Sequence, residues 1–236
     1  NGATYHIAPP LFCDLGADLT VLGVKPNGLN INKHSGSTHL DTLQKIVLSE
    51  KADLGIAFDG DGDRVLMVDS LGEIVDGDEL LFLLAQRGIK TGHIQGGVVG
   101  TAMSNLGLEL ALNELGLAFI RTSVGDRYVN EALQTKNWQL GGEASGHIIS
   151  RRVSKTGDGI IIALQVLEAI QSSGLSLHNA KKAMKKFPQI LINIAAENPS
   201  AIVESPSIKK AILLAEKVLM DRGRVLLRPS GTEPVV

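Results

Sequence analysis

The sequence predicts an α/β fold: two α/β domains on mixed or parallel sheets, followed by part of a smaller α+β domain. Three observations predict it. Short apolar runs of strand length alternate with longer amphipathic segments, which is the pattern of layered α/β architecture. The order strand, helix, strand recurs in two blocks, residues 1–76 and 77–186. The style changes at Lys186, after which 187–194 reads as a strand, 205–221 as a helix and 224–227 as a strand, an α+β unit over 187–236.

In order, residues 4–15 read as a helix and 18–23 as a strand. Residues 41–51 form a helix, and the apolar runs 53–58 and 65–69 are strands. In the second block, 78–86 is a helix and 97–100 a strand. Gly100-Thr101-Ala102-Met103-Ser104 turns that strand into a helix over 105–115. Ser104 is the expected N-cap, because its hydroxyl can accept from an unsatisfied N–H of the first turn. Strand 118–122, helix 125–135, strands 139–142 and 147–149, and helix 157–172 complete the block. Asn198-Pro199-Ser200 and Ser205-Pro206-Ser207 are loop and helix-start signals, since proline at the first helical position sacrifices no hydrogen bond. The lysines of 181–186 read as a solvated helix face, and His34 and His39 flank a loop. The chain opens on Asn1-Gly2 and stops at Val235-Val236, where a strand begins. It reads as an interior portion of a longer protein.

Composition narrows the function classes. A 236-residue chain that is 44% hydrophobic and 20% charged can bury one large core or two to three small ones. A formal net charge of −2 gives no basis for nucleic-acid or membrane-surface binding. No apolar run approaches the ~20 residues that span a bilayer. The single cysteine, Cys13, excludes an internal disulfide, fits a reducing compartment and reads as a small core hydrophobe. Aromatics are only 3%, so the core must come from Leu, Ile, Val and Ala.

The most informative stretch is Asp59-Gly60-Asp61-Gly62-Asp63-Arg64, set between two apolar runs. Glycine lets the chain curl tightly enough to bring three carboxylates to one point. Three hard oxygen donors suit Mg2+ or Ca2+ rather than zinc. A calcium loop of EF-hand type needs Gly at its sixth position and Glu at its twelfth. Those positions hold Arg64 and Ser70, so that reading fails. A plain surface turn would leave three like charges to repel one another. Arg64 points to an anionic partner of the metal, most simply a phosphate.

Three further constellations carry chemistry. Gly141-Gly142-Glu143-Ala144-Ser145-Gly146-His147 follows a strand. Glu143 can accept from adjacent hydroxyls, and Ser145 can both give and take a hydrogen bond. A polar hairpin turn is the alternative. A Ser/His hydrolase is disfavoured, because the Gly-x-Ser-x-Gly elbow is absent. Arg228-Pro229-Ser230-Gly231-Thr232-Glu233-Pro234 offers one guanidinium, two hydroxyls and an approachable backbone, which suits a phosphate that must later leave; a connecting turn is the alternative. Ser123-Val124-Gly125-Asp126-Arg127-Tyr128-Val129 opens a helix, where the dipole and Arg127 favour an anion. Asp126 could instead pair with Arg127.

The acidic loop, Gly142-Glu143-Ala144-Ser145-Gly146-His147 and the 228–234 run occur in this order with a spacing that resembles the α-D-phosphohexomutase superfamily. Val124-Gly125-Asp126-Arg127-Tyr128-Val129 and the opening Asn1-Gly2-Ala3-Thr4-Tyr5 resemble its phosphoglucosamine mutase branch. The ordered set is far more specific than any single motif and covers essentially the whole chain.

The resemblance implies a four-domain intramolecular phosphotransferase, an isomerase. Three domains share an α/β core and the fourth is a smaller α+β domain. Residues 1–76 would be the metal-loop domain, 77–186 the sugar-binding domain and 187–236 the phosphate-binding domain. The branch interconverts glucosamine 6-phosphate and glucosamine 1-phosphate in the cytoplasm, feeding cell-wall precursor synthesis. It works through a phosphoserine and a bisphosphate intermediate, with glucosamine or glucose 1,6-bisphosphate as activator. Carried over residue by residue, Asp59, Asp61 and Asp63 would hold one Mg2+, and Arg64 would stabilise the moving phosphoryl group. Glu143 and Ser145 would bind the sugar, with His147 nearby. Arg228, Ser230, Gly231 and Thr232 would hold the non-reacting phosphate, and Arg127 would belong to the cleft. The partner is a small phosphosugar, with neither nucleic acid nor membrane, and a homodimer is left open. No serine here has the Ser-His-Asn context of the nucleophile, so this piece alone is expected to be inactive. The alternatives are a phosphomannomutase or phosphoglucomutase, or a non-catalytic module that binds metal and sugar phosphate.

Overall fold

The computed structural model describes residues 1–220, 223–230 and 235–236, which fall into two units, Asn1–Lys186 and Phe187–Val236. The α/β class expected from the alternation is borne out. The first unit holds a three-stranded and a four-stranded sheet.

A 3-10 turn, Ala3–His6, leads into α1 (Ala8–Asp14), whose first turn holds Pro9 and Pro10. The helix buries Ala8 and Phe12. Cys13 is exposed rather than in the core, because one residue past Phe12 lies about 100° around the helix. Residues 18–23 form no strand, and Leu19, Val21 and Leu22 remain exposed. Helix α2 (Asp41–Glu50) ends at Lys51, which takes the left-handed conformation at φ 55°.

Strands β1 (Leu54–Phe58), β2 (Val65–Asp69) and β3 (Ile74–Val75) form the first sheet in that order. Both pairings are antiparallel, whereas alternation alone suggested mostly parallel sheets. The two-residue β3 is too short to give a sequence signal. Phe58 pairs with Val65, so the acidic stretch 59–64 is the hairpin connection itself.

Helix α3 (Gly77–Lys90) starts at a capping box in which Asp76 and Glu79 satisfy each other's backbone N–H groups. Leu80 to Ala85 are all buried. Strand β4 (Gly97–Thr101) is followed by α4 (Leu106–Glu114), capped by Asn105 rather than Ser104. The Ser104 hydroxyl instead accepts from the Thr101 N–H at 3.1 Å. Next come β5 (Ala118–Thr122), α5 (Asp126–Lys136), β6 (Leu140–Gly142), β7 (Ile148–Ser150), α6 (Gly159–Ser173) and α7 (Leu177–Lys181). The second sheet has the order β5-β4-β6-β7. It is parallel except at β6–β7.

One apolar cluster joins Phe12, Val65, Met67, the buried leucines of α3, Val98, Leu108, Ile162 and Val166. Helix α6 touches β1, β2 and β7, so both sheets share this core. The lysine run is only partly a solvated face: Lys182, Lys185 and Lys186 are exposed, but Lys181 and Lys186 are both paired with acids. Lys181 is buried, with Nζ 2.9 Å from Asp69 Oδ2 and 2.7 Å from Glu73 Oε2. His178 Nδ1 lies 2.8 Å from the same Asp69 oxygen. Burial pushes the Asp69 carboxyl up, but hydrogen bonds from Lys181, His178 and the backbone of Glu73 and Leu71 hold it below the usual carboxylate range. Lys186 reaches Asp76 Oδ2 at 2.5 Å and Glu79 Oε2 at 3.2 Å. Composition cannot reveal acids more than a hundred residues away. No helix among the described residues is long and apolar enough to cross a membrane.

In the second unit, α8 (Pro199–Glu204) is capped by Asn198 and α9 (Pro206–Leu219) begins at its own proline. Among the described residues, 187–194 and 224–227 form no strand; the only pairing is a bridge between Ala195 and Val235. A short apolar run rich in Ile, Leu and Val suits a ladder, and the ladder itself needs a partner strand.

Candidate functional site

The β1–β2 connection is shaped by its first carboxylate. Asp59 Oδ1 accepts from the backbone N–H of Gly62 at 3.0 Å and of Arg64 at 3.1 Å. Gly62 sits at φ +81°, and a Cβ there would lie 2.7 Å from Thr4 Cγ2. Asp59, Asp61 and Asp63 each place one oxygen within 4.8 Å of the others. Asp61 is exposed. Asp63 Oδ1 is buried and takes no hydrogen bond among the described residues. Arg64 Nε stands 3.8 Å from both Asp59 Oδ2 and Asp63 Oδ1. That is beyond hydrogen-bonding distance, and the Arg64 side chain is 45% exposed. Three converging carboxylates, one with an orphaned buried oxygen, fit a hard divalent cation.

The second loop, 143–147, joins β6 to β7, with Gly142 opposite Ile148. The fold stitches it onto the acidic loop. His147 Nδ1 lies 2.9 Å from Asp63 Oδ2, a residue 84 positions away. Arg64 and His147 form an antiparallel bridge, and Val65 N–H donates to the Gly146 carbonyl at 3.1 Å. The His147 ring is 9% exposed, and a Cβ on Gly157 would lie 2.5 Å from its Cε1. The Gly159 N–H donates to the Gly62 carbonyl at 2.8 Å, so the start of α6 also braces the acidic loop.

Glu143 is half-buried, with Oε1 accepting from the Gly125 N–H at 2.9 Å. Its Oε2 lies 3.5 Å from Ser145 Oγ, and Ser145 is exposed. No cation pairs with Glu143 among the described residues. Arg127 does not pair with Asp126. Its Nε lies 2.8 Å from Glu131 Oε1 one turn along α5, with the side chain 81% exposed. Glu131 raises the affinity of that guanidinium for its proton. The structure thus brings Asp59, Asp61, Asp63, Arg64, His147, Glu143 and Ser145 into one region and leaves Arg127 on the open face of α5.

Arg228 and Ser230 belong to the second unit. Arg228 is exposed, and the Ser230 N–H donates to the Val235 carbonyl at 2.9 Å. Gly231 and Thr232 lie outside the described residues.

Sequence reasoning missed Gly77, Gly125, Gly157 and Gly159 as parts of this framework. The Gly77 N–H donates to the Ala144 carbonyl at 3.0 Å, and a Cβ on Gly77 would fall 2.0 Å from the Glu143 carbonyl oxygen. Asp76-Gly77-Asp78-Glu79 carries the spacing of a capping box, which could have located the helix start pressed on this loop. Gly77→Ala is expected to destabilise the protein by about 1–3 kcal/mol through overpacking. Urea unfolding of both forms checks this, and an unchanged midpoint would mean that the loop yields freely.

Residues 1–72 match the phosphoglucomutase/phosphomannomutase α/β/α domain II, 76–187 match its α/β/α domain III, and 191–236 match its C-terminal domain. A phosphoglucosamine mutase of Pseudomonas aeruginosa (strain LESB58) is 58% identical over 236 residues, covering all of this chain and 53% of that protein. Phosphoglucosamine mutase 2 of Shewanella sp. (strain MR-7) is 56% identical over 238 residues, with the same two coverages. The chain therefore spans about half the length of the curated relatives it matches. Among solved structures, the N-acetylphosphoglucosamine mutase of Aspergillus fumigatus in complex with GlcNAc-6P and magnesium gives a TM-score of 0.74 at 22% identity, over 94% of this chain and 56% of that one. A phosphoglucomutase/phosphomannomutase family protein from Burkholderia thailandensis gives 0.70 at 24% identity, over 82% and 42%. At those identities the likeness is one of fold.

Proposed function

From a chain that belongs to the phosphoglucomutase/phosphomannomutase family, we propose that the whole protein interconverts glucosamine 6-phosphate and glucosamine 1-phosphate. It does so through a phosphoserine and a bisphosphorylated sugar, in the cytoplasm, as a step toward UDP-N-acetylglucosamine. The observation that carries this reading is the fusion of the acidic loop with the Glu143 loop, through Asp63–His147 at 2.9 Å and the Arg64–His147 bridge. It puts cation-type ligands next to groups suited to hydroxyls.

Residues 1–76 supply the acidic loop, 77–186 the sugar loop and 187–236 the clamp for the non-reacting phosphate. Asp59, Asp61 and Asp63 would hold one Mg2+, which when bound would supply charge neutralisation at the phosphoryl group. Arg64, with no carboxylate at hydrogen-bond range among the described residues, offers its guanidinium to the same group. Phosphoryl transfer asks for positioning and electrostatic stabilisation more than for covalent help. Glu143 Oε2 and Ser145 Oγ bind sugar hydroxyls, and His147 keeps Asp63 in place. Arg228, Ser230, Gly231 and Thr232 form the clamp, and Arg127 must leave Glu131 to join the cleft. The phosphoserine is placed outside these residues, since none of the serines has a Ser-His-Asn context.

The test is an assay of the full-length protein with Mg2+ and a glucosamine or glucose 1,6-bisphosphate primer. The kcat/KM values for glucosamine 6-phosphate, glucose 6-phosphate and mannose 6-phosphate are compared. Preference for the amino sugar is expected. Preference for a plain hexose would favour a phosphoglucomutase or phosphomannomutase, and no turnover on any of them would leave a binding module.

A further inference from the structure

We propose that Gly125 is a positioning residue for Glu143, an inference that rests on reading Glu143 as the sugar-binding carboxylate. Gly125 precedes α5 at φ 130° and ψ 135°, a region that L-residues rarely adopt. Its carbonyl accepts from Tyr128 N–H at 3.1 Å and from Val129 N–H at 3.3 Å, so the start of the helix fixes that side of the residue. Its N–H is aimed across the loop at Glu143 Oε1, 2.9 Å away. The requirement for glycine is one of backbone angle, not of space. A Cβ would meet nothing closer than Tyr128 Cδ2 at 3.4 Å. A side chain would drive φ negative and swing the N–H off the carboxylate.

The rest of Glu143 is already fixed. Its N–H donates to the His147 carbonyl and its carbonyl accepts from Gly146 N–H, both at 3.0 Å. With Oε1 held by Gly125, Oε2 is the oxygen left beside Ser145 Oγ. The loop therefore presents one acceptor and one hydroxyl in a set orientation, instead of a freely turning carboxylate. That arrangement selects a ligand with a hydrogen-bond donor at one defined position, such as a ring hydroxyl or amine.

Two measurements on the full-length protein test this. Amide hydrogen exchange at Gly125 is expected to speed up about tenfold or more in Glu143→Ala, the size of a lost hydrogen bond of ~1.4 kcal/mol or more. Unchanged exchange would overturn the proposal whether or not the protein is a mutase. In kinetics, Gly125→Ala is expected to raise KM for the sugar phosphate about tenfold with kcat little changed, and to add nothing in the Glu143→Ala background. An equal penalty in both backgrounds would show that Gly125 serves α5 alone and would overturn the proposal. Failure of the unaltered protein to turn over any sugar phosphate would overturn the functional reading instead, and the exchange experiment would then decide the role of Gly125.

Discussion

Asp61→Ala is expected to lower kcat of the full-length protein about 10²- to 10³-fold, the loss typical of removing one element of electrostatic stabilisation. Stability measured in chelator should stay within about 0.5 kcal/mol of the unaltered protein. The split follows from what each carboxylate does. Asp59 shapes the hairpin through Gly62 and Arg64, and Asp63 is tied to His147. Either replacement would disturb loop and ligand together. Asp61 is exposed and has no hydrogen bond among the described residues, yet it sits within ligating reach of the other two. Its removal therefore tests metal binding alone. Titration of Mg2+ or Mn2+ by calorimetry, alongside the assay, checks it. Full activity with unchanged metal affinity would remove Asp61 from the ligand set.

Asp78→Asn is expected to change how stability varies with pH. Asp78 lies in the first turn of α3 and is buried. Burial pushes its carboxyl from 3.8 up to about 7, helped by the charge of Asp76. The Asn105 N–H at 2.7 Å, Ser104 and Lys186 pull the other way without prevailing. Its Oδ1 is buried without a hydrogen-bond partner among the described residues. The folded state thus binds this proton more tightly than the unfolded chain. The stabilisation is fully present below about pH 4 and is lost as pH rises toward 7. Asn cannot ionise, so the variant should match the unaltered protein near pH 4 and exceed it by on the order of 2–4 kcal/mol at pH 8. Urea unfolding at pH 4.5, 6 and 8 measures this. Parallel pH profiles for the two proteins would show that Asp78 is ionised at ordinary cost.

How much was legible beforehand depends on the range of each signal. The acidic loop could be read because its glycines, carboxylates and flanking apolar runs are contiguous. The helices of the first unit could be read because their apolar spacing repeats within a few turns, and several of their ends are marked by caps. The burial of Lys181 could not be read, since its partner Asp69 lies on β2. Nor could the exposure of Cys13, which depends on which side of α1 meets Phe58 and the core. Residues 18–23, 187–194 and 224–227 have strand-like patterns and no ladder among the described residues, because a pattern supplies a surface and not its partner.

The α/β class, most of the elements of the first unit and the residue make-up of each loop depend on residues close together along the chain, and so were legible in it. Folding of the whole unit is what brings Asp63 to His147, Gly125 to Glu143 and Gly77 against the same loop. Those meetings follow from two sheets sharing one core through α3 and α6. Packing of that kind is set by the shape and volume of the whole unit, which no local window of residues records.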